Sequence, residues 1–126
     1  MKKTICVDFD GVVHSYTKEG WKGPTVVEGE PVRGAIDWLR KLIQSDIFYI
    51  NIFSARNRWS RGVKAMEDYL IKNGLEEEYV RKIAFPSDKP YAYMFIDDRA
   101  FCFRGEFPEV ESINGFRTWN EENEEA

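Results

Sequence analysis

Apolar residues in this chain come in short blocks with two different spacings, and the spacings predict strands alternating with helices. Thr4-Ile5-Cys6-Val7 reads as a first strand, stopping abruptly at Asp8-Phe9-Asp10-Gly11. A glycine-rich connection from Gly11 to Glu30 follows. It is longer than most structureless loops in compact domains, and such loops tend to be functional. Within it the alternation Val13-His14-Ser15-Tyr16 predicts part of a small hairpin flap. Glu30-Pro31 opens a helix to about Gln44, since proline suits a first helical turn and Val32, Ala35, Ile36, Leu39 and Ile43 make one apolar stripe.

The block Ile47 to Phe53 is nearly continuous and rich in β-branched residues, as buried parallel strands are, and it ends in Ser54-Ala55-Arg56. A second helix is expected from Ser60 to Lys72, with Val63, Met66 and Leu70 inward and Asn73-Gly74 as its cap. Leu75 to Val80 adds a helical turn, Ile83-Ala84-Phe85 a short third strand, and Tyr91 to Ile96 a fourth that ends in Asp97-Asp98-Arg99. Beyond it, Pro108 to Asn114 reads as a short helix and Phe116 to Trp119 as a last strand. This alternation predicts an α/β fold built on a doubly wound parallel sheet. Ligands of such sheets bind beyond the carboxyl ends of the strands.

Composition narrows the class. The chain has 126 residues, 43% of them hydrophobic, enough for one domain and one core. No run of about 18 apolar residues exists to cross a membrane. The two lysines near the start meet Asp8 and Asp10 before a secretion signal could form. Cys6 and Cys102 lack metal-ligand spacing and sit among apolar neighbours, so they read as buried thiols in a reducing, cytoplasmic compartment. The net charge of −4 is local: Glu121, Glu122, Glu124 and Glu125 fall in the last six residues. Without those four, the 22 acids become 18 against 18 bases. The expected organisation is therefore a neutral domain over 1–120 and an acidic, solvated tail over 121–126.

Chemistry gathers at the strand ends. Asp8 and Asp10 are two apart and repel unless a cation neutralises them; Asp97 and Asp98 add acids from a neighbouring strand. An all-oxygen cluster with no cysteine and a single histidine suits a hard ion, above all Mg²⁺. Ser54, Arg56 and Lys89 add a hydroxyl and two cations fit to cradle phosphoryl oxygens. One carboxylate can attack a phosphoryl group to give an aspartyl-phosphate, and a second, two residues on, can protonate the leaving alkoxide and later activate water.

Four segments carry a resemblance. Val7-Asp8-Phe9-Asp10-Gly11-Val12, Ile52-Phe53-Ser54-Ala55-Arg56, Lys89 and Phe95-Ile96-Asp97-Asp98-Arg99 resemble, in order, the four motifs of the haloacid dehalogenase superfamily of phosphohydrolases. The resemblance implies a three-layer, Rossmann-like core with Asp8 as nucleophile and Mg²⁺ ligand. It further implies Asp10 as acid and base with its carbonyl on the metal, Ser54 and Lys89 on the phosphoryl group, and Asp97 completing the metal site. Asp98 would act through water or by orienting its neighbours. The SAR and IDDR segments look closest to the 3′-phosphatase domains of bacteriophage polynucleotide kinases, which implies a phosphate contact for Arg56. The IDD segment also resembles small deoxyribonucleotidases. Neither gap available for a cap, Gly11–Glu30 or Phe85–Lys89, can hold a domain, so the chain reads as capless, with a flap over an open cleft.

The expected activity is a Mg²⁺-dependent phosphomonoesterase acting on a nucleotide or on the 3′-phosphate end of a polynucleotide; a phosphatase of sugar or other metabolite phosphates is the alternative. Oligomeric state is left open, a monomer included. His14 either reaches substrate from the flap or makes a structural hydrogen bond. The run Arg56, Arg58, Arg61 and Lys64 either tracks a polynucleotide backbone or is a solvated helix face paired with Glu67 and Asp68. Trp38 reads as core, while Trp21 in the flap divides evenly between substrate contact and packing, and Trp59 and Trp119 are open. A receiver-like phosphoacceptor also combines acids, a hydroxyl, a lysine and Mg²⁺. Its acceptor aspartate, however, ends a middle strand, where this chain has Ser54, and its acids are usually adjacent rather than spaced DxDG.

Overall fold

A computed structural model describes residues 2–121, so most of the expected acidic tail, residues 122–126, lies outside the described residues. Four strands, β1 (Lys3–Val7), β2 (Phe48–Ile52), β3 (Ile83–Ala84) and β4 (Met94–Ile96), form one all-parallel sheet in the order β3-β2-β1-β4. Between β1 and β2 lies α1 (Ala35–Gln44), and between β2 and β3 lie α2 (Ser60–Lys72) and the single turn α3 (Glu77–Val80). The chain then crosses to the far edge for β4, followed by the short α4 (Val110–Asn114). None of these helices is long and apolar enough to cross a membrane.

Period-2 alternation decides which side of the sheet is covered. Ile5 and Val7 of β1 and Ile50 and Ile52 of β2 point to one face, where they join Leu39 and Ile43 of α1 and Met66 and Leu70 of α2 in the buried core. The intervening positions point the other way. Register sets Thr4 beside Tyr49, and Cys6 between Asn51 and Phe95; Tyr49 and Phe95 are exposed.

Several expectations shift in physical detail. The first helix begins at Ala35, not at Glu30-Pro31, because Pro31 and Val32 are still extended: His14 bridges to Pro31, and the Val32 N–H donates to the Val13 carbonyl (2.7 Å). The left-handed turn at Gly34 (φ 84°) then starts the helix. The Asn73-Gly74 stop stands as expected, with Leu75 N–H closing onto the Leu70 carbonyl (3.0 Å). Cys6 is buried, but Cys102 is exposed, since the segment after β4 packs little of itself. Trp38, expected in the core, is 39% exposed and lies outside it. Phe116 to Trp119 form no strand; Trp119 starts a helical turn and its indole N–H donates to the Gly11 carbonyl (2.7 Å).

Candidate active site

The strand order puts a switch point between β1, whose chain continues toward β2, and β4 on its other side; ligands of open α/β sheets bind at such crevices. The Asp8 N–H donates to the Ile96 carbonyl (2.9 Å), so the first residue beyond β1 is fixed against the end of β4. Asp8, Asp97 and Asp98 each direct an oxygen into one cluster whose atoms lie within 4.8 Å of one another. That is the span of an oxygen shell around a hard divalent ion, at roughly 2.1–2.6 Å per bond.

Two features show what the cluster lacks. Burial pushes the Asp8 carboxyl up to about 7; the Phe9 N–H opposes this, and the charges of Asp97, Asp98 and Asp10 add to it. Asp98 accepts the Tyr16 hydroxyl on Oδ2 (2.9 Å), while its Oδ1 is buried with no partner among the described residues. A buried carboxylate oxygen without a donor is costly. A cation is the partner this group fits.

Beside the cluster lies a cavity of about 180 Å³ lined by Asp8, Ser54, Lys89, Phe95 and Asp97, among others. Ser54 caps a 3₁₀ turn over Ala55–Arg58: its Oγ accepts the Arg56 N–H (3.1 Å), leaving the hydroxyl hydrogen for another acceptor. The reciprocal half comes from Asn57, whose Oδ1 accepts the Ser54 N–H (3.1 Å). Asn57 Nδ2 donates to the carbonyls of Ile52 and Pro86 (both 2.8 Å), tying the end of β2 to the loop that carries Lys89. Lys89 itself is exposed, with Nζ 4.7 Å from the centroid of the Phe95 ring.

Asp10 stands apart. Its Oδ2 accepts Arg56 Nε–H (3.0 Å), and its Oδ1 accepts Arg56 Nη2–H (3.0 Å) and faces His14 Nδ1 (2.9 Å). Arg56 Nη1 donates to the flap carbonyls of Pro24 (3.0 Å) and Val26 (2.9 Å), and the guanidinium lies 4.7 Å from the Trp21 ring. His14 Nε2 meets the Glu28 carbonyl. Arg56 is only 2% exposed. Burial works against the Asp10 anion, but the His14 and Arg56 hydrogen bonds and the Arg56 charge outweigh it and hold the carboxyl below its usual range. A separate cavity of about 120 Å³ lies on this side, under the flap, lined by Asp10, His14, Tyr16, Trp21 and Arg56 among others.

Of the residues singled out in the sequence, Asp8, Asp97, Ser54 and Lys89 thus meet at one cavity, with Asp98 joining the acid cluster directly. Asp10, Arg56 and His14 form their own network behind it. In the basic run, Lys64 pairs with Asp68 (2.7 Å), as the solvated-face reading expects. Three contributors were missed. Asn57 had a local signal, the S-x-x-N cap spacing from Ser54. Tyr16 and Trp119 act across 82 and 108 residues and had none. Gly11 makes the tight turn of this region: at φ +92° a side chain is strained, and an added Cβ would lie 2.3 Å from Asp98 Oδ2.

No family model, curated protein or solved structure matches this chain.

Proposed function

We propose that this chain is a Mg²⁺-dependent phosphomonoesterase of the haloacid dehalogenase type, working through an aspartyl-phosphate. The observation that carries the reading is the partnerless Asp98 oxygen in a trio of carboxylates beside a cavity that also holds a hydroxyl and a lysine. Asp8, Asp97 and Asp98 would hold the ion, which supplies charge neutralisation for the transferring phosphoryl group. In the first step an Asp8 oxygen bonds to phosphorus, the bond from phosphorus to the leaving oxygen breaks, and that oxygen takes up a proton. In the second, water bonds to phosphorus, loses a proton, and the Asp8–phosphorus bond breaks, returning the carboxylate. The Ser54 hydroxyl and the Lys89 ammonium bind the equatorial oxygens.

Asp10 would carry the protons, and for that one of its oxygens must leave Arg56 or His14 and take up a proton from solvent, which it gives to the leaving oxygen in the first step and takes back from water in the second. Arg56 and His14 compete for the same oxygens, so they act on the reaction through Asp10 and the flap. The core of this type is three-layered; its third layer belongs on the face that carries Tyr49 and Phe95. Among the described residues no cap domain lies over the site, which suits a nucleotide or the 3′-phosphate end of a polynucleotide.

Phosphate release from 3′-phosphorylated DNA, nucleoside monophosphates and sugar phosphates, with Mg²⁺ and with chelator, tests the reading. Multiple turnovers on the nucleotide or polynucleotide substrates are expected, with loss of at least about 10³-fold in Asp8→Asn. Turnover on sugar phosphates alone would shift the substrate class to metabolites. A single phosphoryl group taken up without release would mark a phosphoacceptor, and wild-type activity in Asp8→Asn would end the nucleophile assignment.

A further inference from the structure

All-parallel sheets occur almost only with both faces covered. Here α1 and α2 cover one face, while on the other Tyr49 is 56% and Tyr93 61% exposed, with Phe95 beside them. The same chain carries a second bare apolar surface after β4: Phe101, Phe103, Phe107, Val110, Ile113 and Phe116 are all exposed, Phe107 at 84%. Phe101, Pro108, Ile113 and Phe116 line a groove of about 300 Å³ in this segment. Isolated exposed apolar residues need no explanation, but contiguous patches of this kind mark interaction sites.

The segment does not cover its own sheet, since Tyr49, Tyr93 and the segment's own aromatics are exposed together. Its start is held at the end of β4, where the Arg99 N–H donates to Asp97 Oδ1 (2.8 Å). Its end is held by the Trp119 indole on the Gly11 carbonyl (2.7 Å), next to buried Thr118. Both anchors stand at the carboxyl rim of the sheet. The bare strand face lies below that rim.

We infer that the two surfaces bind each other between two copies of this chain, the 101–116 segment of each copy covering the open sheet face of the other. Charge fits this pairing. The sheet face is rimmed by lysines away from the catalytic cavity, with Lys3 Nζ 4.2 Å from the Tyr93 ring and Lys2, which also pairs with Asp46, 5.5 Å from Tyr49. The segment carries Glu106, Glu109 and Glu111 against the single base Arg104. Area fits as well. At about 150–250 Å² per aromatic side chain, the nine exposed residues offer on the order of 1,000 Å² per chain, against the roughly 800 Å² per partner of a standard interface. Because each copy supplies one segment and one face, a two-fold axis closes the pair and leaves neither surface over.

The test uses the full chain, and no residue in it belongs to the proposed catalytic site. Light scattering is expected to give twice the 14.8 kDa chain mass. Tyr49→Glu and Phe107→Glu should each halve that mass while keeping the far-ultraviolet circular dichroism of the wild type. Mixing these two variants should restore the double mass, because one intact segment then meets one intact face. A wild type of single-chain mass overturns the inference; if Phe107→Glu then lowers its melting temperature, the segment covers its own sheet instead. Variants that stay dimeric, or a mixture that stays monomeric, overturn it too, the latter in favour of a different pairing of surfaces.

Discussion

Asp8 and Asp10 are two residues apart, and their surroundings are opposite. Asp10 is saturated: a bidentate arginine and a histidine hold it as an anion, and the same arginine ties down the flap. Asp8 is crowded by other acids, raised to about 7, and shares its cluster with a carboxylate oxygen that has no partner at all. Both are carboxylates at the end of one strand, yet only the second arrangement leaves a buried oxygen unpaired among the described residues. Paired buried charge holds a structure together, and unpaired buried charge favours binding a cation.

The largest effect that tests this contrast is on the paired side. Arg56→Gln removes the partner of a half-buried carboxylate and the tie to three flap carbonyls. Breaking a buried pair by deleting one member costs about 3–5 kcal/mol. Chemical denaturation should show a loss of that order, and the flap should become cleavable by protease under native conditions. A variant as stable as the wild type would mean that Asp10 and the flap do not depend on Arg56.

The unpaired side should respond with the opposite sign, and to pH. The folded-state pKa of Asp8 is raised from 3.8 to about 7, so the folded chain holds this proton more tightly than the unfolded one. The stabilisation is fully present below pH 3.8 and is lost as pH rises through about 7. In chelator the melting temperature of the wild type should therefore fall across that interval relative to Asp8→Asn, which has no proton to lose there. Asp10, with its lowered pKa, works the other way and is common to both proteins, so the difference between the two curves isolates Asp8. Mg²⁺ should restore stability to the wild type above neutrality. Superimposable curves would show that the acid cluster carries no such strain. The effect should be smaller than that of Arg56→Gln, because Asp8 keeps some contact with water, which screens it.

How much of this was legible in the sequence follows from distance along the chain. The end of β1 at Asp8, the end of β2 at Ser54 and the end of β4 at Asp97 were visible because an apolar run stops at a polar residue, a local event. The start of α1 was misjudged because Pro31 belongs to a bridge with His14, a partner 17 residues away that no helical pattern encodes. Arg56 drew notice as a phosphate contact, whereas its tie to Asp10 spans 46 residues and only the folded chain shows it. The uncovered sheet face was invisible for a related reason. Tyr49, Tyr93 and Phe95 are good strand residues either way, and a pattern of residues does not say whether a layer arrives to cover them.

The finest test separates Asp98 from its neighbours. Tyr16 reaches from the flap to give Asp98 Oδ2 its hydrogen bond, and Arg99 Nε donates more distantly to the same hydroxyl (3.4 Å). Tyr16→Phe removes this donor and keeps the ring, so about 0.5–1.5 kcal/mol of stability should be lost. It also leaves both Asp98 oxygens without a protein donor, which makes the cluster hungrier for a cation but less well oriented. The stabilisation by Mg²⁺, read as the melting-temperature difference between saturating ion and chelator, should grow in Tyr16→Phe, because the ion-free reference has become worse. If Asp98 instead only orients its neighbours and never meets the ion, the variant loses its fraction of stability equally with and without Mg²⁺, and the acid trio reduces to Asp8 and Asp97.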